Sequence, residues 1–177
     1  MEIDLLGKSL GGPSRRGAPP PALTVVGYSD SGKTTVVSSL IRALTSEGYR
    51  IASVKHSPHG HESDRPGSDT NRQREAGAAL VVASSPGKLT AIERVDGDTP
   101  LESIVASIGE GIDMVVAEGF KLSSYHKILV SDGLTVPENV DNVIATVGRA
   151  AHIAGIPEFD LDSLHPLAEV VRDCFLR

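Results

Sequence analysis

Tryptophan is absent from this chain of 177 residues, tyrosine and phenylalanine occur three times each, and there is a single cysteine, Cys174. With aromatic residues at 3% and hydrophobic residues at 40%, the interior has to be filled by Val, Ile, Leu and Ala, a composition that suits a buried parallel sheet covered by helices. One cysteine excludes an internal disulfide and makes a reducing interior the expected compartment. Its place among the apolar positions of the last predicted helix marks it as a small core residue. No apolar run has the length of a membrane span and no signal-peptide pattern opens the chain, so a cytoplasmic protein is expected. Lys and Arg number 17 against 23 Asp and Glu, a formal net charge of −6. That balance excludes a general nucleic-acid surface, whose footprint is a basic patch on a basic domain. If the chain holds a polyphosphate, it must do so with a local site.

The length fits one domain with a sizeable core. Residues 1–22, with Gly11, Gly12, Pro13, Gly17 and three consecutive prolines from Pro19, cannot form a core and read as a flexible leader. Residues 23–177 are expected to make a single domain. No internal repeat is visible.

The dominant local feature follows the apolar run at residues 23–26. Gly27, Tyr28, Ser29, Asp30, Ser31, Gly32, Lys33, Thr34 and Thr35 carry the pattern G-x-x-x-x-G-K-[ST]. The glycines let the backbone curl so that successive N–H groups face an anion, and the helix that starts there adds the positive end of its dipole. Lys33 is expected to reach the β- and γ-phosphates and Thr34 to hold Mg²⁺ through its hydroxyl. Val36, Val37, Leu40, Ile41 and Leu44 then recur at helical spacing, with Gly48 as a stop.

Beyond the loop, strand-like and helix-like segments alternate, the pattern of an α/β fold with a doubly wound, mostly parallel sheet and helices on both faces. Strands are expected at residues 50–55, 79–83, 89–95, 112–117, 127–130 and 142–147. Helices are expected at 70–76, capped by Asp69; after the T-x-x-E capping box of Thr99 and Glu102; and from about His165.

In such sheets ligands sit beyond the carboxyl ends of the strands. Glu118 ends a buried strand there, where nucleoside triphosphatases place an acid that holds Mg²⁺ or orients the attacking water; the plainer reading is a carboxylate capping the turn at Gly119. Asp113 lies at the wrong end of the same strand. The polar stretch at residues 55–69 carries His56, His59 and His61 with Glu62, Asp64 and Asp69. It admits three readings: a solvated loop, a switch region for Mg²⁺ and nucleotide, or a transition-metal site. Asp64 and Asp69 are its candidate Mg²⁺ ligands, and Arg65, Arg72 and Arg74 its candidate partners for phosphate charge.

The combination G-Y-S-D-S-G-K-T-T, V-K-H-S-P-H-G-H with D-R-P-G-S-D-T and R-E-A-G-A, V-V-A-E-G-F-K, and H-K-I-L-V resembles the molybdopterin-guanine dinucleotide biosynthesis protein B family, MobB. The resemblance runs from about Leu23 to the last helix. It implies a P-loop GTPase that binds GTP and Mg²⁺, hydrolyses weakly, forms a homodimer, and assists the molybdenum cofactor guanylyltransferase that joins molybdopterin to GMP, with a molybdopterin-bearing protein as a further partner. Neither nucleic acid nor membrane is an expected partner. By resemblance, residues 27–34 bind the phosphates, and Lys33, Glu118 and Asp69 act near the metal and the γ-phosphate.

One departure stands out. Family members often carry an acid after a Ser or Thr near the end of the late strand, whereas this chain has Thr146, Val147, Gly148 and Arg149, and no N-K-x-D occurs. Guanine preference therefore rests on resemblance. Tyr28 stands where some dimeric ATPases place a second, trans-acting lysine, which is absent here. No arginine finger or glutamine is identifiable near the loop, which fits weak hydrolysis. A nickel-insertion GTPase, motivated by the histidines, a small-molecule kinase using the same loop, and a module that binds nucleotide without turnover are the rival readings.

Overall fold

The structure is a computed structural model that describes residues 18–58, 60, 64–133, 139–149 and 153–177. The chain divides into two compact units, one drawn from residues 1–56 and 100–177 and the other from residues 57–99. Residues 1–17 of the expected leader, and His59, His61 and Glu62 of the polar stretch, lie outside the described residues.

The first unit is built on six parallel strands. β1 (Ala22–Val26) leads into α1 (Lys33–Ser46) and β2 (Ile51–Lys55). After the second unit come α3 (Leu101–Ser107), β5 (Met114–Glu118), β6 (His126–Ser131), β7 (Val143–Gly148), β8 (Glu158–Phe159) and α4 (His165–Phe175). The second unit supplies α2 (Asp69–Glu75), β3 (Leu80–Ser85) and β4 (Lys88–Glu93). The sheet order is β2-β5-β1-β6-β7-β8, and every pairing in it is parallel. The chain runs to one side of β1 first and returns to its other side at β6. The carboxyl end of β1 is therefore the switch point where such sheets bind ligands.

Alternation along the strands sorts the two faces. Leu23 and Val25 of β1, Met114 and Val116 of β5, and Ile128 and Val130 of β6 bury against Val36, Leu40 and Leu44 of α1 and Leu167 and Val171 of α4. Ala22, Val115 and Ala117 point the other way, to Leu101 and Val105 of α3. Each fully buried Leu or Val contributes about 1.5–3 kcal/mol. Helices thus cover both faces, as expected from the sequence. Among the described residues, no helix is long and apolar enough to cross a membrane.

Four local expectations are corrected. The strands expected at 79–83 and 89–95 do not join the parallel sheet. They form an antiparallel hairpin, β3 with β4, in a sheet of its own. Pro86 and Gly87 (φ 74°) form the turn, with proline's fixed φ followed by the positive φ that glycine accepts. Helix α2 is capped by Ser68, whose Oγ accepts from the Asn71 N–H, and not by Asp69. The capping box of α3 does not form. Pro100 is the N-cap and has no N–H to donate to a returning carboxylate, and Glu102 instead accepts from the N–H and Oγ of Ser124, each at 3.0 Å. These bonds, the backbone one first, hold the Glu102 carboxyl below its usual range. Cys174 is exposed, because the apolar side of α4 that faces the sheet is carried by Leu167, Ala168 and Val171.

Lys127 is fully buried on β6. Its Nζ donates to the carbonyls of Ser123 (2.7 Å) and Tyr125 (3.2 Å) and to Oδ1 of Asp141 (2.7 Å), so the charge is paired as burial requires. The same contact keeps the Asp141 carboxyl below its ordinary range. A carboxylate depressed in the folded state stabilises above its unfolded value and loses that contribution as pH falls. Replacing Lys127→Ala leaves the Ser123 and Tyr125 carbonyls without this donor and is expected to cost about 1–3 kcal/mol, measured by urea denaturation at neutral pH. It should also flatten the fall in stability below about pH 4. An unchanged midpoint would contradict this assignment.

Candidate functional site

The loop between β1 and α1 owes its shape to close packing at both ends. At Gly27 a Cβ would fall 2.3 Å from the Val130 carbonyl oxygen and 2.7 Å from Ser31 Oγ, so only glycine fits against β6. Asp30 takes a left-handed conformation (φ 59°), which Asp tolerates better than most residues. Gly32, with φ 98°, is the N-cap of α1 and gives the helix no side-chain cap. The first N–H groups of a 14-residue helix thus have no capping side chain, and α1 has no acid in its first turn. An uncapped N-terminus of this kind is a site for an anion. Ser31 Oγ is buried without a hydrogen-bond partner. The Lys33 ammonium folds back onto the Tyr28 carbonyl. Ser29 lies exposed in the same loop and Thr35 exposed in the first turn of α1.

Glu118 is placed by register. It closes β5, two residues beyond Val116, so alternation directs it to the face that carries α1. Pairing with β1 (Val25↔Glu118) and with β2 (Lys55↔Glu118) sets it level with the start of the loop. Although only 8% exposed, it is well satisfied: Oε2 accepts from Thr34 Oγ1 at 2.9 Å and Oε1 lies 3.2 Å from Lys55 Nζ. Gly119 follows with φ 92°, and a Cβ there would sit 3.0 Å from His56 Cβ. Lys55, whose amine braces the carboxylate, was not among the expected site residues. Its signal was its place at the end of β2, level with Glu118.

The remaining acids are accounted for separately. Asp113 lies at the start of β5, where Oδ2 accepts from the Arg50 N–H at 2.7 Å, a structural bond at the opposite end of the sheet. In the second unit, Asp64 uses its carboxylate locally: Oδ1 accepts from Thr70 Oγ1 (2.7 Å) and Ser68 Oγ (2.8 Å), and Arg74 Nε lies 3.9 Å from Oδ2. The Thr70 bond first, then the Ser68 bond and the Arg74 charge, hold its carboxyl below the usual range. Asp69 heads α2 with a 95% exposed carboxylate, 3.9 Å from Arg72 Nη1. Among the described residues, no group of three His, Cys, Asp or Glu is placed to hold a metal ion; the His56 ring packs at 4.9 Å from that of Phe120, tilted by 37°.

The residues present fit a Mg²⁺-bound triphosphate. Thr34 and Glu118 offer an all-oxygen, hard donor pair, which suits Mg²⁺. The uncapped helix start, the partnerless Ser31 hydroxyl and the Lys33 ammonium are donors of the kind an anion takes.

Residues 22–149 match the family described as MobB, molybdopterin guanine dinucleotide synthesis protein B. The chain is 30% identical over 159 residues to the molybdopterin-guanine dinucleotide biosynthesis adapter protein of Escherichia coli, covering 85% of this chain and 91% of that one. It is 32% identical over 111 residues to the protein of the same description from Haemophilus influenzae, covering 62% of each. Among solved structures it is similar to molybdopterin-guanine biosynthesis protein B, with a TM-score of 0.69 at 28% identity over 86% of this chain and 99% of that one. It also shares the fold of Bacillus subtilis MobB, with a TM-score of 0.65 at 24% identity over 88% and 98% of the two chains.

Gly27→Ala tests the loop's geometry. The added methyl must displace the end of β6 or the loop, which is expected to lower stability by about 1–3 kcal/mol, read by thermal unfolding. A variant as stable as the parent would mean that Gly27 does not pack as described.

Proposed function

The chain belongs to the MobB family, and on that premise we propose that it binds GTP with Mg²⁺ in the loop at residues 27–35, hydrolyses it slowly, and serves as an accessory protein in the making of molybdopterin guanine dinucleotide. The observation that carries the nucleotide reading is the 2.9 Å bond between Thr34 Oγ1 and Glu118 Oε2. It brings the loop hydroxyl and a strand-end carboxylate together beside an uncapped helix N-terminus. The relatives' description as adapter proteins supports the pathway and an accessory role. Its partners are then the guanylyltransferase that joins molybdopterin to GMP, a molybdopterin-bearing protein, and a second copy of the chain, all on the strength of the family resemblance.

In this reading the backbone N–H groups of Asp30, Ser31, Gly32 and Lys33 hold the phosphate oxygens. Lys33 exchanges the Tyr28 carbonyl for the β- and γ-phosphates. Thr34 and Glu118 would hold Mg²⁺, which would supply charge neutralisation at the transferred phosphoryl group. Lys55 fixes the Glu118 carboxylate. A carboxylate engaged by an ammonium and a hydroxyl acts as a ligand and a positioning group more than as a free base, which agrees with slow turnover. Phosphoryl transfer at such a site relies on positioning and charge.

Calorimetric titration of Mg²⁺·GTP should give one site per chain, weakened about 100-fold or more by Lys33→Ala. Equal affinity in the two proteins would refute the site. Glu118→Gln should keep triphosphate binding but slow phosphate release about tenfold or more; an unaltered rate would return Glu118 to a purely structural role.

A further inference from the structure

The acid sought in the sequence at the end of β7 is not there: the strand ends at Gly148, with Arg149 donating its N–H to the Ser131 carbonyl at 2.9 Å. The neighbouring strand ends differently. β8 is only two residues long, and it releases the chain at Phe159 into a segment that carries Leu161 and Asp162 before α4. This segment lies against the phosphate loop, since a Cβ on Gly32 would sit 3.0 Å from Leu161 Cδ2. Between it and α1 opens a hollow of about 400 Å³, within the range of roughly 300–1,000 Å³ in which small ligands are held. One wall is the hydroxyl-bearing side of α1, with Thr34, Thr35, Ser38 and Ser39; the other includes Leu161 and Asp162, and Arg42 lies further along the helix.

The geometry points to this hollow as the seat of the nucleoside, with Asp162 as the carboxylate that reads guanine, an inference that rests on the nucleotide reading above. The hollow begins at Thr34 and Thr35, residues of the phosphate loop itself, so a nucleotide whose phosphates occupy the loop can reach it without a gap. The α1 hydroxyls suit a ribose, and Leu161 offers an apolar surface for one face of a base. Guanine presents two adjacent donors, N1–H and the exocyclic amine, and an ionised carboxylate, which only accepts, can pair with both. Adenine presents an acceptor at N1 that a carboxylate repels. The missing acid of β7 is thus supplied from the segment that follows the next strand in the sheet.

The test uses the full chain with Mg²⁺ and compares GTP, ATP and xanthosine triphosphate by calorimetric titration. An Asn at this position keeps one acceptor but adds a donor, matching the N1–H and C2 carbonyl of xanthine. Asp162→Asn is therefore expected to lose about 10- to 100-fold in GTP affinity and to gain a similar factor for xanthosine triphosphate. Asp162→Ala is expected to lose GTP affinity without that gain. A wild-type protein that binds ATP as tightly as GTP, or an Asp162→Asn variant whose GTP to xanthosine triphosphate ratio is unchanged, would overturn the assignment. If Lys33→Ala still abolishes binding in either case, the phosphate site stands and only the base reader falls. If Lys33→Ala leaves binding intact, both readings fall.

Discussion

A single hydrogen bond, from the Thr34 hydroxyl to the Glu118 carboxylate, joins two positions 84 residues apart, and the layout of the unit explains why it can form. Thr34 is delivered by a loop whose first glycine packs without a Cβ against the end of β6. Glu118 is delivered by the alternation of β5, which sends Met114 and Val116 into the core under α1 and brings the next residue of that parity to the rim. Lys55 at the end of β2 then holds the carboxylate from the other side. A one-residue slip in the register of β5 would turn Glu118 to the α3 face and Ala117 to the site.

The second unit obeys different physics. Its hairpin exposes Val82 and Leu89 while burying Val81. Asp64 gathers Ser68 and Thr70 around one carboxylate oxygen, and Ser68 caps the short helix that follows. Such hydroxyl and carboxylate clusters fix the course of a loop without apolar burial. The density of His and Asp that suggested metal chemistry in the sequence is, for Asp64, explained in this way.

Much of the site was legible because its parts carry local signatures. The phosphate loop is a motif with a mechanism, and Glu118 followed from a run of apolar residues ending in an acid and a glycine. What was missed depended on tertiary context. The capping box at Thr99 and Glu102 failed because Ser124, brought near by the fold, offers Glu102 two donors where Pro100 offers none. Cys174 looked like a core residue on a helical wheel, but the packed side of α4 is narrower than its apolar stripe. The strands at 80–85 and 88–93 were found, yet spacing alone could not say that they pair with each other and stay out of the parallel sheet. β8, with two residues, has no periodicity to detect, and with it went Leu161 and Asp162.

The account rests on Thr34 and Glu118 acting together on the cation of a bound triphosphate. Mn²⁺, which accepts the same oxygen ligands as Mg²⁺, gives a spectroscopic reading of that pair. In an electron paramagnetic resonance titration with GTP, the wild-type chain is predicted to take up one Mn²⁺ per site, and Glu118→Gln to keep its GTP but hold the Mn²⁺ markedly more weakly. Equal Mn²⁺ uptake by both proteins in the presence of GTP would contradict the account.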